Sequence, residues 1–130
     1  MKANIILYVS DQKASAGFYE KVLSLKPELD VPGMTEFRLN EHTVLGLMPS
    51  AGIKRLLGDK LPDPDKARGI PRAEVYLHVT DPLSYHNRAI LNGAKELSPL
   101  LMRDWGDEAA YSLDPDGHVL AFARKSCVNK

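Results

Sequence analysis

The chain of 130 residues holds one cysteine, Cys127, one tryptophan, Trp105, and three phenylalanines. A lone thiol excludes an internal disulfide and a cysteine-based zinc site. Close to the end of the chain, Cys127 reads as a free thiol on a loose tail. Net charge is also lacking, since 17 basic residues balance 17 acidic ones. No stretch gathers Lys and Arg with aromatics between them, so neither nucleic acid nor a membrane is an expected partner. Long hydrophobic runs are missing too. The opening "MKANIILYVSD" has five or six apolar residues in a row, too few for a signal segment or a membrane span. Cytoplasmic residence is therefore the default expectation. Glycine-rich phosphate loops and Ser, Cys or Lys nucleophile motifs are absent, and no two histidines have the helical spacing of a zincin-type site.

What is present is an ordinary globular composition, 44% hydrophobic and 26% charged, with room for one domain and its core. That domain repeats itself. "NIILYVSD" (4–11) and "EVYLHVTD" (74–81) share alternating apolar residues followed by Val, a hydroxyl residue and Asp. A helix is predicted after each, over 13–23 and 82–92, with Asp11 or Ser10 and Thr80 or Asp81 as N-caps and Pro82 in a first turn. Gly93 suits a left-handed helix stop, and Ser24 does so less well. Strands are predicted at 34–40, 43–48, 108–114 and 118–123, and the segment 98–107, "SPLLMRDWGD", reads as a long loop. Between the copies, 49–72 holds a short helix at "GIKRLLG" and then a charged linker rich in Pro and Gly. The domain 1–130 thus divides into a module 1–48, a linker 49–72 and a module 73–125.

The last strand, "HVLAFA", alternates bulky Leu120 and Phe122 with small Val119, Ala121 and Ala123. One of its faces is built for packing. The other presents little side chain and reads as space for a ligand.

This layout, with "YVSDQKASAGFYEKVL" near the start and "RDWGDEAAYSLDPDGHVLAF" near the end, resembles the vicinal oxygen chelate superfamily. That group includes glyoxalase I, extradiol dioxygenases, fosfomycin-resistance transferases and bleomycin-resistance proteins. The resemblance is carried most specifically by "FYEKVLSL" (18–25), "WGD" (105–107) and "DPDGHVL" (114–120), and covers nearly the whole chain outside 49–72. It implies an α+β fold of paired βαβββ modules whose mixed sheets curl around a cavity, helices outside. In metal-using members four cavity positions bind the ion, and the resemblance lays them on Asn4, Gly46, Glu74 and Ala121. Only Glu74 is a good ligand. A catalytic divalent ion takes about three donors from imidazole, thiolate or carboxylate, and Gly46 and Ala121 offer none. His78 shares a face with Glu74, but four residues along a strand span about 13 Å, too far for one ion to bridge. No cofactor is therefore expected, and a divalent metal is disfavoured.

Several other side chains are candidates for the ligand. Glu74 is either a solvated residue at the start of its strand or a cavity carboxylate able to act as a base without a metal. Tyr8 and Tyr76 read as pseudo-symmetric phenols, packing in a wall or touching a ligand. Trp105, beside Met102 in the predicted loop, suits either a lid over a ligand or a cap over the core. Arg38 is an exposed residue or an anion contact, and His78 lies on the candidate face. His42 and His118 read as turn residues, and His86 as a solvated helix residue. The leading expectation is a metal-free glyoxalase- or bleomycin-resistance-like protein that binds a small organic molecule in the inter-sheet cavity. A metal-dependent lyase or isomerase using Glu74 is the second reading, and an interaction module with a vestigial cavity the third. The resemblance also implies a homodimer.

Overall fold

The alternation in "ANIILYV" becomes strand β1 (Ala3–Val9), after which Asp11 starts helix α1 (Gln12–Leu23) by accepting the Ala14 amide at 3.0 Å. Ser24 ends that helix in the left-handed region, at φ 58°, where glycine is the usual occupant. Strands β2 (Leu29–Val31), β3 (Met34–Asn40) and β4 (Thr43–Pro49) follow, and then helix α2 (Ser50–Leu57). The computed structural model describes residues 1–126, so Cys127 lies outside them. The order across this sheet is β1-β4-β3-β2, with β1 parallel to β4 and the other pairs antiparallel. α1 packs on β3 and β4. Phe18, Tyr19 and Val22 of the helix and Leu7, Val9, Phe37, Leu45 and Leu47 of the strands are buried, each stabilising by about 1.5–3 kcal/mol.

The second copy repeats the plan: β5 (Glu74–His78), α3 (Pro82–Leu91), β6 (Lys95–Met102), β7 (Asp107–Leu113) and β8 (Val119–Lys125). Asp81 is the N-cap, its side chain accepting the Ser84 amide at 3.2 Å, and Gly93 takes φ 105° just past the helix. The sheet runs β5-β8-β7-β6, again with one parallel pair, β5 with β8. α3 lies against β7 and β8, with the Tyr85 and Phe122 rings 5.1 Å apart. The fold is α+β, two open four-stranded mixed sheets each made by a βαβββ module. The chain forms two compact units divided between Arg68 and Gly69. In the linker, 3-10 turns at Gly58–Lys60 and Pro64–Ala67 follow α2.

Two expectations are corrected. The predicted loop 98–107 is mostly strand: β6 runs to Met102, leaving the turn 103–106. Pro99, which has no amide to donate, is accommodated because the β6–β7 register shifts between Ser98 and Leu101. His86 is not solvated but 1% exposed, with Nε2 2.8 Å from the Glu96 carboxylate. It sits on the α3 face that packs against the sheet, so its imidazole is drawn inward. In the DPDG turn the buried Asp114 carboxylate accepts the amides of Asp116 and His118, both at 2.9 Å.

Candidate functional site

In each unit the helix covers one sheet face, and the candidates stand on the other. Residues paired in register point the same way. In the first unit this gives a row of Ile6, Gly46 and Glu36 across β1, β4 and β3, and a neighbouring row of Asn4, Val44 and Arg38. The Asn4 side-chain amide donates to Glu36 Oε2 at 3.3 Å, reaching across β4. Arg38 is engaged as well: its Nε lies 2.6 Å from Glu28 Oε2, and its Nη1 donates to the carbonyls of Asn40 and Glu41 at 3.3 Å. Tyr8 lies beside Met48.

In the second unit the corresponding row is Tyr76, Ala121 and Tyr111 across β5, β8 and β7. Glu74 precedes Tyr76 on β5, and His78 follows it in the row of Ala123 and Ala109. Ala109, Ala121 and Ala123 are fully buried. Strands two places apart stand about 10 Å from each other, yet the Tyr76 and Tyr111 rings are 6.5 Å apart. They lean together over Ala121. The small-residue row is thus roofed by two phenol rings.

The turn 103–106 adds the polar part. Trp105 Nε1 donates to the Tyr76 hydroxyl at 2.9 Å, and that hydroxyl donates to Asp107 Oδ2 at 2.7 Å. Asp107 is 4% exposed, and its other oxygen has no hydrogen-bond partner among the described residues. The Lys125 ammonium stands 3.9 Å from that oxygen, within ion-pair range but too far for a hydrogen bond. The His78 ring meets Tyr76 edge-on at 5.3 Å, and the Arg103 guanidinium lies 4.9 Å over Tyr111. Desolvation raises the pKa of both phenols above the ordinary tyrosine value. At Tyr76 the Trp105 hydrogen bond opposes this, while Asp107 adds to it. At Tyr111 the Glu74 charge adds to it and Arg103 opposes it. Both phenols are therefore hydrogen-bonding groups in their neutral form, not phenolate bases at neutral pH.

The structure thus gathers Glu74, Tyr76, His78, Ala121 and Trp105 on one face of the second sheet. It does not bring Met102 there: Met102 pairs with Glu108, on the face opposite Asp107, and Leu101 takes the row of Ala109. Nor are Tyr8 and Tyr76 equivalent. With Ile6 beside Gly46 and Tyr76 beside Ala121, the counterpart of Tyr76 is Ile6, and that of Tyr8 is His78. Sequence reasoning missed Glu36, Asp107, Tyr111 and Arg103. The alternation of "MTEFRLN" put Glu36 in phase with Arg38, and the "WGD" signature contained Asp107. No sequence signal distinguished Tyr111 or Arg103 from surface residues.

Of the four positions that the resemblance lays out, Gly46 and Ala121 carry no donor atom in their side chains. A Cβ at Gly46 would stand 3.1 Å from Ile6 Cγ1 and 3.3 Å from Met34 Sδ, so apolar side chains fill the place of a ligating group. Ala121 lies under the two phenols, and the Asn4 amide is spent on Glu36. Among the described residues no three His, Cys, Asp or Glu gather closely enough to hold a metal. No described helix is long and apolar enough to cross a membrane.

A family model described as Glyoxalase/Bleomycin resistance protein/Dioxygenase superfamily matches residues 3–122. Among solved structures, a glyoxalase-related enzyme from Fulvimarina pelagi superposes with a TM-score of 0.81 at 24% identity, covering 96% of this chain and 88% of that one. A glyoxalase/bleomycin resistance protein/dioxygenase from Nocardioides gives 0.78 at 18% identity, over 100% and 86% of the two chains. A glyoxalase/bleomycin resistance protein from Catenulispora acidiphila gives 0.68 at 20%, over 97% and 99%. At these identities the likeness speaks for the fold alone. No curated protein matches the chain.

Proposed function

Because the chain belongs to the Glyoxalase/Bleomycin resistance protein/Dioxygenase superfamily, we propose that it binds a small organic molecule without a catalytic metal, on the helix-free face of its second sheet. The observation that carries this reading is the chain of hydrogen bonds from Trp105 through Tyr76 to the buried Asp107, standing beside the donor-free Ala121. Where a metal-using relative would carry a carboxylate, this strand offers a methyl group under two aromatic rings. Rings supply apolar contact area with little entropy to lose, and the phenol hydroxyls and carboxylates orient what lies on them.

Catalysis in this reading falls to Glu74 alone, as a base near the neutral phenols. Nothing among the described residues hydrogen-bonds or ion-pairs with its carboxylate to orient it. Binding is therefore the function the site favours. The test has two parts: metal analysis after mild purification without added ions, and a thermal-shift screen against metabolites. We expect no stoichiometric Zn, Ni, Mn or Fe and at least one ligand that raises Tm. A stoichiometric metal that disappears in Glu74→Ala, together with turnover of a methylglyoxal–thiol adduct lost in the same variant, would overturn the proposal in favour of a lyase.

A further inference from the structure

We propose that the molecule bound on the second sheet is amphoteric, carrying a cationic group that meets Glu74, a carboxylate that meets Arg103, and an apolar or aromatic body lying over Tyr76 and Tyr111. This names a ligand class for the site above and rests on that small-molecule reading.

Arg103 is held in place by neutral acceptors only. Its Nε donates to the Ala109 carbonyl at 3.1 Å, and its Nη2 to the same carbonyl at 2.7 Å, to Ser98 Oγ at 2.6 Å and to the Pro99 carbonyl at 3.2 Å. Its plane rests over Tyr111. Among the described residues no carboxylate stands within ion-pair distance of it, and no bond engages its Nη1. An ordered guanidinium with donors to spare is the group that recognises carboxylates, because its fork is already fixed.

Glu74 is its opposite on the same face. Its carboxylate is exposed, belongs to the row next to Tyr76 and Tyr111, and has no hydrogen bond or ion pair among the described residues. Glu74 stands on β5, and Arg103 leads into β7 with β8 between them. The four hydrogen bonds tie the Arg103 guanidinium to Ser98, Pro99 and Ala109, and it makes no ion pair with Glu74. The Tyr111 phenol lies in the field of both charges, which act on it in opposite senses.

A ligand with only a carboxylate would meet Arg103 but face the repulsion of Glu74. One with only an ammonium would meet the reverse. A molecule with both neutralises each charge, and its body covers the phenol rings between them.

Trp105, the sole tryptophan, reports on the site through its bond to Tyr76. We would titrate the wild type by tryptophan fluorescence with 4-(aminomethyl)benzoate, whose charges stand at opposite ends of a ring, with 4-methylbenzoate, which lacks the ammonium, and with 4-methylbenzylamine, which lacks the carboxylate. A charge-assisted hydrogen bond corresponds to about tenfold or more in affinity, so 4-(aminomethyl)benzoate should bind at least about tenfold more tightly than either. Glu74→Gln should weaken it to the level of 4-methylbenzoate, and Arg103→Gln to that of 4-methylbenzylamine. Equal binding of the three probes, or no binding of 4-(aminomethyl)benzoate, overturns the inference. If Arg103→Gln fails to fold, the exposed Glu74→Gln and the wild-type series decide the matter. Failure here alongside a thermal shift from some non-amphoteric metabolite leaves the binding function standing; failure of both removes both.

Discussion

Tyr76 and Tyr111 lean toward each other over Ala121, and burial at that contact disfavours their charged forms. Their folded pKa values lie above the unfolded one, so above the ordinary tyrosine range the folded chain holds protons that the unfolded chain has released. Stability should therefore fall as pH rises beyond about 10. In an ultraviolet titration Tyr76 and Tyr111 should ionise above the ordinary tyrosine value, and Tyr76→Phe and Tyr111→Phe should each remove one such late step. Unchanged curves would count against this geometry. Gly117 is a second single-residue constraint. It has φ 89°, and a Cβ there would stand 2.8 Å from the Gly69 Cα, which is backbone and cannot swing aside. Gly117→Ala should cost at least about 2 kcal/mol in denaturant unfolding, from the left-handed strain and the overlap together.

At the scale of elements, the two helices that cover the sheets are started alike and stopped differently. Asp11 and Asp81 both accept an amide three residues ahead. Asp81→Ala should thus cost about 1 kcal/mol, and Asp11→Ala about the same. Ser24, the sole non-glycine residue at positive φ among the described residues, ends α1 in a conformation that glycine adopts without strain. Ser24→Gly should raise stability by about 0.5–1 kcal/mol, read as an upward shift of the unfolding midpoint with unchanged slope. The "WGD" turn joins β6 to β7 and carries the site's working side chains. Arg103 fastens it through the Ala109 carbonyl, while Asp107 and Trp105 fasten it to Tyr76.

For the molecule as a whole, zero formal charge sets the expectation that it does not retard DNA or RNA in a gel at physiological salt. Oligomeric state is the other property at this scale. A two-fold homodimer is expected from the family, and sedimentation equilibrium should give twice the monomer mass. A monomer mass at high concentration would refute it.

The repeat, the helix starts to within one residue (Asp11 or Ser10, Thr80 or Asp81), the DPDG turn and the faces of β5 and β8 were all legible in the chain, because each depends on residues a few positions apart. Local periodicity puts Glu74, Tyr76 and His78 on one side of a strand whatever lies next to it. Three things only the tertiary structure decided. His86 is buried because α3 turns that side to the sheet and Glu96 comes to meet it. The row of small residues is roofed because β5 and β7 flank β8 in register and bring two tyrosines, 35 residues apart in sequence, over Ala121. And Met102 leaves the site because the register shifts in β6 set which face it takes, while Arg103 enters it by folding over Tyr111. A strand's own alternation is fixed by its sequence, but the cover on its face depends on partners that only long-range pairing supplies.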